Sequence, residues 1–304
     1  MKFGGGSGRA RADRDAAEDR GTVRFTPALR RRLEHFTARL ELLRRRREGA
    51  GNATLGGGGQ EWIDLRPYRA GDDLRDLDWA LLARSDRPFV RVHEREAAER
   101  WAIVLDTSAS MGVGAPGKLQ AAAEVAAAWL AVGLRAGAEV ELVWGEQERV
   151  RARRFVRRTE LSEALETLES LVAEGALGIG GLLAEPRLFE CGRHVVLGDL
   201  LDVEPERLFA HRHRVQDMVV GQWLAPREWG SGLDGARRWR DPESGEELET
   251  RTDGEVLARY EAALARELER WRSVCGRHRV RYGCFDASAP FEDAAHELFG
   301  LGGR

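Results

Sequence analysis

Trp101-Ala102-Ile103-Val104-Leu105-Asp106-Thr107-Ser108-Ala109-Ser110-Met111 is the stretch on which the fold turns. An unbroken apolar run ends in an aspartate. A strand covered by helices on both faces has no solvent side to keep polar, so it reads as a continuous run and not as an alternation. Val195-Val196-Leu197-Gly198-Asp199 repeats the pattern downstream. Between and beyond these runs the chain alternates. Lys118–Ala136 reads as an Ala-rich helix, and Val140–Trp144 and Val150–Val156 as strands. Thr159 caps a helix carrying Leu161, Leu165, Leu168 and Val172 on one side. Val215–Leu224 and Val280–Phe285 read as strands, and Gly254–Cys275 and Pro290–Phe299 as helices. Strands alternating with helices predict an α/β fold with a doubly wound, mostly parallel sheet. Residues 226–253 break the rhythm. They carry the turn signal Asp241-Pro242-Glu243-Ser244-Gly245 and read as a hairpin, a polar excursion from the main domain.

Upstream of this region the character changes. Residues 1–24 are rich in Gly, Arg and Asp, lack periodicity and predict a disordered tail. Thr26 and Pro27 then open a helix with an apolar stripe at Leu29, Leu33, Phe36, Leu40 and Leu43. Its other face is basic through Arg44–Arg47 and reads as a solvated face. Gly49–Gly59 follows as a flexible loop, then Glu61–Tyr68 and Phe89–Glu94 as extended segments. The expected domains are a tail at 1–24, an N-terminal helix and clasp segment at 25–100, and an α/β domain at 101–304.

Composition narrows the function classes. The chain has 304 residues, 42% hydrophobic and 33% charged, enough apolar content for a sizeable core. The 48 basic and 51 acidic residues leave a formal charge of −3, which implies no general affinity for nucleic acid or anionic lipid. RNA binding through the basic helix Thr26–Arg47 is the weakest reading, and it would have to be steeply salt-dependent. No apolar run approaches the roughly 20 residues of a membrane span, and the start lacks the apolar core of a signal peptide. A cytoplasmic protein is expected. Cys191, Cys275 and Cys284 include no CxxC pair, so they read as core or near-core thiols in a reducing compartment. His211 and His213 flank Arg212 in a polar stretch and read as solvated surface.

Ligands of an open parallel sheet bind at the carboxyl ends of its strands. There the sequence places Asp106, Ser108 and Ser110 in one turn, and Asp199 at a second strand end. One carboxylate and two hydroxyls at two-residue spacing are hard oxygen donors of the kind Mg²⁺ takes, and Asp199 would hold a metal-bound water. The bland alternative is that the serines only satisfy the backbone of a strand-to-helix turn.

Asp106-Thr107-Ser108-Ala109-Ser110-Met111 resembles the metal-ion-dependent adhesion site of von Willebrand factor A domains. The stretch from Glu61 to Trp79, together with Ala83-Arg84, resembles the bacterial domain-of-unknown-function family 58, which joins this segment to an A-type domain. The resemblance implies a von Willebrand factor A-like, Rossmann-type fold and a metal-dependent protein-binding module. It implies Mg²⁺ or Mn²⁺ held by Asp106, Ser108, Ser110 and Asp199, with a partner carboxylate filling an open position. It further implies a MoxR-type AAA+ ATPase partner and a chaperone-like role in assembling or activating a client protein, with no catalytic residues of the chain's own. One departure stands out. A-type domains place a threonine ligand in a Gly-Gly-Thr-like loop, whereas Leu177-Gly178-Ile179-Gly180-Gly181-Leu182 has no hydroxyl. Gly180 or Gly181 takes the position, which implies a weak site or a water in the threonine's place.

Gly112–Lys118 nearly matches the phosphate loop GxxxxGK[ST], and gives the alternative reading of a nucleotide-binding enzyme. Leu119 stands where a hydroxyl should hold Mg²⁺. The segment Arg66–Asp86 is dense in both charges. It reads as a salt-bridged clasp or a docking surface, with Trp62, Tyr68 and Trp79 as anchors. Nothing resembles a Ser-His-Asp triad or a GxSxG elbow.

Overall fold

A computed structural model describes residues 21–52, 62–68, 77–85, 87–93, 99–209, 215–230, 233 and 235–301. The chain divides into two compact units, Arg39–Ala98 and the remainder. The elements are α1 (Pro27–Asn52), β1 (Trp62–Pro67), α2 (Trp79–Ser85), β2 (Phe89–His93), β3 (Arg100–Leu105), α3 (Lys118–Arg135), β4 (Glu139–Glu146) and β5 (Arg149–Phe155), followed by α4 (Leu161–Glu169), β6 (Arg193–Gly198), β7 (Asp217–Leu224), β8 (Gly235–Arg240), β9 (Glu247–Thr252), α5 (Gly254–Arg277), β10 (Arg281–Asp286) and α6 (Phe291–Leu298).

The larger unit is built on a six-stranded sheet in the order β10-β7-β6-β3-β4-β5. Every neighbouring pair is parallel except β4 and β5. This is the doubly wound, mostly parallel α/β sheet expected of a von Willebrand factor A-like domain. The central strands β3, β6 and β7 are buried along almost their whole length. The edge strand β5 alternates, and its Arg149, Arg151, Arg153 and Arg154 charge an otherwise open ladder against further pairing. The Ala-rich α3 buries nearly all of its faces, because small side chains let a helix lie close on a sheet. Residues 226–253 form the expected hairpin, with β8 and β9 pairing antiparallel from Gly235↔Thr252 to Arg240↔Glu247.

The smaller unit ends at Ala98, beside the expected boundary at residue 100, whereas the expected end of the tail at residue 24 differs from the structure. Gly21–Arg24 is not tail. Thr22 bridges Val172, the Ala173 N–H donates to Gly21 O (2.7 Å), and Val23 and Phe25 are buried. Residues 1–20 lie outside the described part. Thr26 caps α1 by accepting from the Leu29 N–H (3.2 Å). Leu29, Leu33 and Phe36 are buried, and Phe36 meets Phe291, His296 and Phe299 within 6 Å. The first part of α1 therefore belongs to the α/β unit, and its stripe is divided at Ala38.

In the smaller unit β1 and β2 pair antiparallel, and Asp78 caps α2 by accepting from the Leu81 N–H. Trp79 is 63% exposed. Of the clasp, residues 69–76 and Asp86 lie outside the described part, as do His211 and His213. Cys191 and Cys275 are buried and Cys284 half-buried.

Candidate functional site

β3 and β6 are neighbours, so their ends bring Asp106 and Asp199 to one place at the carboxyl edge of the sheet. After Asp106 the chain turns through Ser108 into a short 3-10 turn, Ala109–Gly112, and this aims both serines back at the strand ends. The Ser108 N–H donates to Asp106 Oδ1 (2.9 Å). The Ser108 and Ser110 hydroxyls are 3.0 Å apart, and Ser110 Oγ donates to Asp199 Oδ2 (2.7 Å). The structure thus brings together all four residues singled out by the sequence.

Asp106 is 1% exposed, and its Oδ2 is buried without a hydrogen-bond partner. Gly198 makes room for this carboxyl, since a Cβ there would stand 2.7 Å from Asp106 Cβ and 3.0 Å from Oδ2. Burial, reinforced by the charge of Asp199, pushes the Asp106 carboxyl up to about 7. A buried carboxylate with an orphaned oxygen is costly unless a cation or proton meets it. Two carboxylates and two hydroxyls fit a hard divalent cation by donor chemistry, and the orphaned oxygen fits one by need. Among the described residues no group of three or more His, Cys, Asp or Glu is arranged to hold a metal.

Lys118, the first residue of α3, is fully buried. Its Nζ donates to Asp199 Oδ2 (2.8 Å) and Glu228 Oε1 (2.9 Å). Burial alone would lower the ammonium's pKa, but the two carboxylates outweigh it and the net shift is upward. The lysine of the near-miss phosphate loop is therefore enclosed by carboxylates. This is the opposite of a side chain held out to a phosphate.

Three residues were missed in the sequence. Glu228 sits in a 3-10 turn just before the hairpin, where its Oε2 accepts from the Ala225 N–H (2.6 Å) and its carbonyl from Tyr260 OH (2.5 Å). Asp202 lies three residues past Asp199, beyond Leu200, whose φ of 60° is uncommon for a branched side chain. Asp202 Oδ2 accepts from the Gly180 N–H (2.7 Å). A Cβ at Gly178 would fall 2.6 Å from Asp202 Cγ. The loop without a threonine is thus shaped around a carboxylate from the neighbouring strand end. Burial raises the Asp202 carboxyl above its ordinary value, with the charge of Asp199 adding to it against bonds from the Gly180 and Ile179 backbone. The third residue is Glu243 in the hairpin turn. Its side chain is exposed, and its carboxyl is raised by partial burial and then by the charges of Asp199, Asp241 and Asp202. The turn signal marked where the hairpin reverses, but carried no sign of where its tip lands.

The signature of the family described as "Protein of unknown function DUF58" covers residues 64–270. Two uncharacterized mycobacterial proteins, Rv1480 of Mycobacterium tuberculosis and Mb1516 of Mycobacterium bovis, are each 45% identical over 60 residues. Those alignments span 19% of this chain and 18% of each relative. Among solved structures, BatB from Bacteroides thetaiotaomicron aligns over 67% of this chain and 98% of its own, at 16% identity and a TM-score of 0.41. The SpRpn10 VWA domain aligns over 67% of this chain and 95% of its own, at 13% identity and a TM-score of 0.37. Likeness at that level speaks to neither partner nor activity. The family signature runs across most of the α/β unit and both strand ends that form the site, and the chain belongs to the DUF58 family.

Proposed function

We propose that the chain is a non-enzymatic, metal-dependent protein-interaction module. The observation that carries this reading is the buried, unpartnered Oδ2 of Asp106 beside the Ser108 and Ser110 hydroxyls and Asp199. Asp106, Ser108, Ser110 and Asp199 would hold Mg²⁺ or Mn²⁺, and the bound ion would offer a vacant position to a carboxylate. Leu201, 65% exposed directly after Leu200, gives a docking protein an apolar contact beside the charged centre. The family resemblance supports a MoxR-type AAA+ ATPase as partner and chaperone-like assembly or activation of a client as the process, in the cytoplasm. No helix among the described residues is long and apolar enough to cross a membrane.

Affinity capture with the full chain, with and without chelator, tests this reading. Mg²⁺ or Mn²⁺ should support capture of an AAA+ ATPase, and chelation or Asp106→Ala should abolish it. Capture of the same partner by folded Asp106→Ala with undiminished affinity, together with indifference to chelator, would overturn the metal reading. The nucleotide alternative is tested separately. With Lys118 held by Asp199 and Glu228, the purified chain should turn over neither ATP nor GTP. Turnover above background that disappears in Lys118→Ala would promote that alternative.

A further inference from the structure

One part of the sheet is thinly covered, where β6 and β7 run side by side. His194 and Met218 are register partners there. Over them the chain lays single turns, Ile179–Leu182, Pro186–Glu190 and Pro205–Leu208. A helical turn of four or five residues rises only about 6–8 Å, too little to fill the layer above two strands. A cavity of about 470 Å³ remains, walled by Leu183, Leu188, Val203, Leu208 and Met218 among others. Sites for small molecules typically measure roughly 300–1,000 Å³ and are mostly apolar with a few polar groups.

The polar groups inside are already engaged. A His194 ring nitrogen lies 2.9 Å from Leu188 O, and Asp202 Oδ2 accepts from the Gly180 N–H (2.7 Å). A water needs about two to four polar partners, so this wall favours an apolar occupant over water. The rim differs. Arg207 lines the cavity and is exposed. The acids beside it in sequence, Glu204 and Glu206, are both bonded to Arg270 of α5 (2.5 and 2.7 Å). Among the described residues no carboxylate pairs with Arg207. The Asp202 carboxylate has its backbone donor and the Arg207 guanidinium has no acceptor, so the unmet charge is positive. A guanidinium is a planar fork suited to a carboxylate.

We infer that this cavity is a binding site for an aliphatic carboxylate, with the apolar body between the single turns and the head on Arg207. The site lies off the strand-end centre and needs no metal, so it goes beyond the function proposed above.

Calorimetry of the purified full chain with decanoate, kept below its micelle-forming concentration, tests this. Binding should saturate at one molecule per chain. Ala184 lines the cavity and is exposed, so Ala184→Trp should close it and abolish binding while leaving the thermal midpoint nearly unchanged. Arg207→Gln should weaken decanoate about threefold to fivefold, the scale of an exposed ion pair. Decanol, the same body without the charge, should bind wild type and Arg207→Gln alike. Arg149→Gln, which removes an exposed arginine on β5, should change nothing. Absence of saturable decanoate binding by the wild type would overturn the inference, as would undiminished binding by Ala184→Trp. An equal loss in Arg149→Gln and Arg207→Gln would reduce the head contact to bulk charge and overturn the assignment of Arg207.

Discussion

Asp106 and Asp199 end neighbouring strands of one sheet, and both are buried, yet the protein treats them in opposite ways. Asp199 is surrounded by donors. Lys118 Nζ and Ser110 Oγ share its Oδ2, and the Leu201 N–H reaches its Oδ1 (3.2 Å). Asp106 is bonded by Ser108 alone, through its N–H on Oδ1 and through its side chain, and its Oδ2 has no partner. One aspartate is thus a structural ion pair with its cation built into the chain. The other keeps an oxygen that no donor of the chain meets. Burial is therefore no guide to role. The donors around each carboxylate, and not its burial, tell the two apart.

The difference is broken most forcefully at Asp199. Asp199→Ala leaves the Lys118 ammonium fully buried with only Glu228, itself partly exposed, as its acid partner. Removing one partner of a buried pair typically costs about 3–5 kcal/mol, and Glu228 places the expectation at the lower end. Urea denaturation measures it. The double variant Lys118→Met with Asp199→Leu should recover much of that loss, because no unpaired charge remains. An Asp199→Ala chain as stable as wild type would show that the ammonium does not depend on Asp199, and the contrast would fail.

Asp106→Ala should behave in the opposite way. It removes a carboxyl with an unsatisfied oxygen and relieves repulsion with Asp199, so metal-free stability should hold or rise by up to about 1 kcal/mol. Metal binding should be lost. Ser108→Ala and Ser110→Ala each remove a neutral oxygen and should weaken binding less. A destabilisation of Asp106→Ala as large as that of Asp199→Ala would make Asp106 a structural residue and erase the distinction.

The strand ends were legible because their signal is local. An apolar run stopping at an aspartate needs no knowledge of the rest of the chain, and the alternation around it predicts the sheet. The surroundings of the two aspartates were not legible, because they are assembled from far away. Glu228 meets Lys118 across 110 positions, and nothing in Gly112–Lys118 indicates that the ammonium turns inward. Read by pattern, that lysine only nearly matched a phosphate loop. Glu243 lay inside a recognised turn signal, yet its landing point depends on the geometry of the whole hairpin. Asp202 fills space that the sequence could register only as a missing threonine. The same limit applies at the N-terminus. Thr22 and Val23 are too few to show a period, and Val172, the bridge partner of Thr22, lies far along the chain.

The other end of β6 sharpens the comparison with the smallest expected effect. His194 is 5% exposed, and one ring nitrogen lies 2.9 Å from Leu188 O, so this buried titratable group is satisfied while neutral. Burial holds its pKa below the ordinary value, against hydrogen bonds to the Leu188 and Cys191 backbone that favour the charged form. The folded chain therefore resists a proton that the unfolded chain accepts near pH 6.5. Stability from this group is full above that pH and is lost as the pH falls toward the depressed folded value, with a slope of at most about 1.4 kcal/mol per pH unit. Urea midpoints between pH 7.5 and 5.5 should fall more steeply for wild type than for His194→Gln, whatever the variant's absolute stability. Parallel profiles would mean that His194 is as easily protonated in the fold as outside it. The contrast would then be incomplete, because a buried group with a backbone partner would still have been open to a charge.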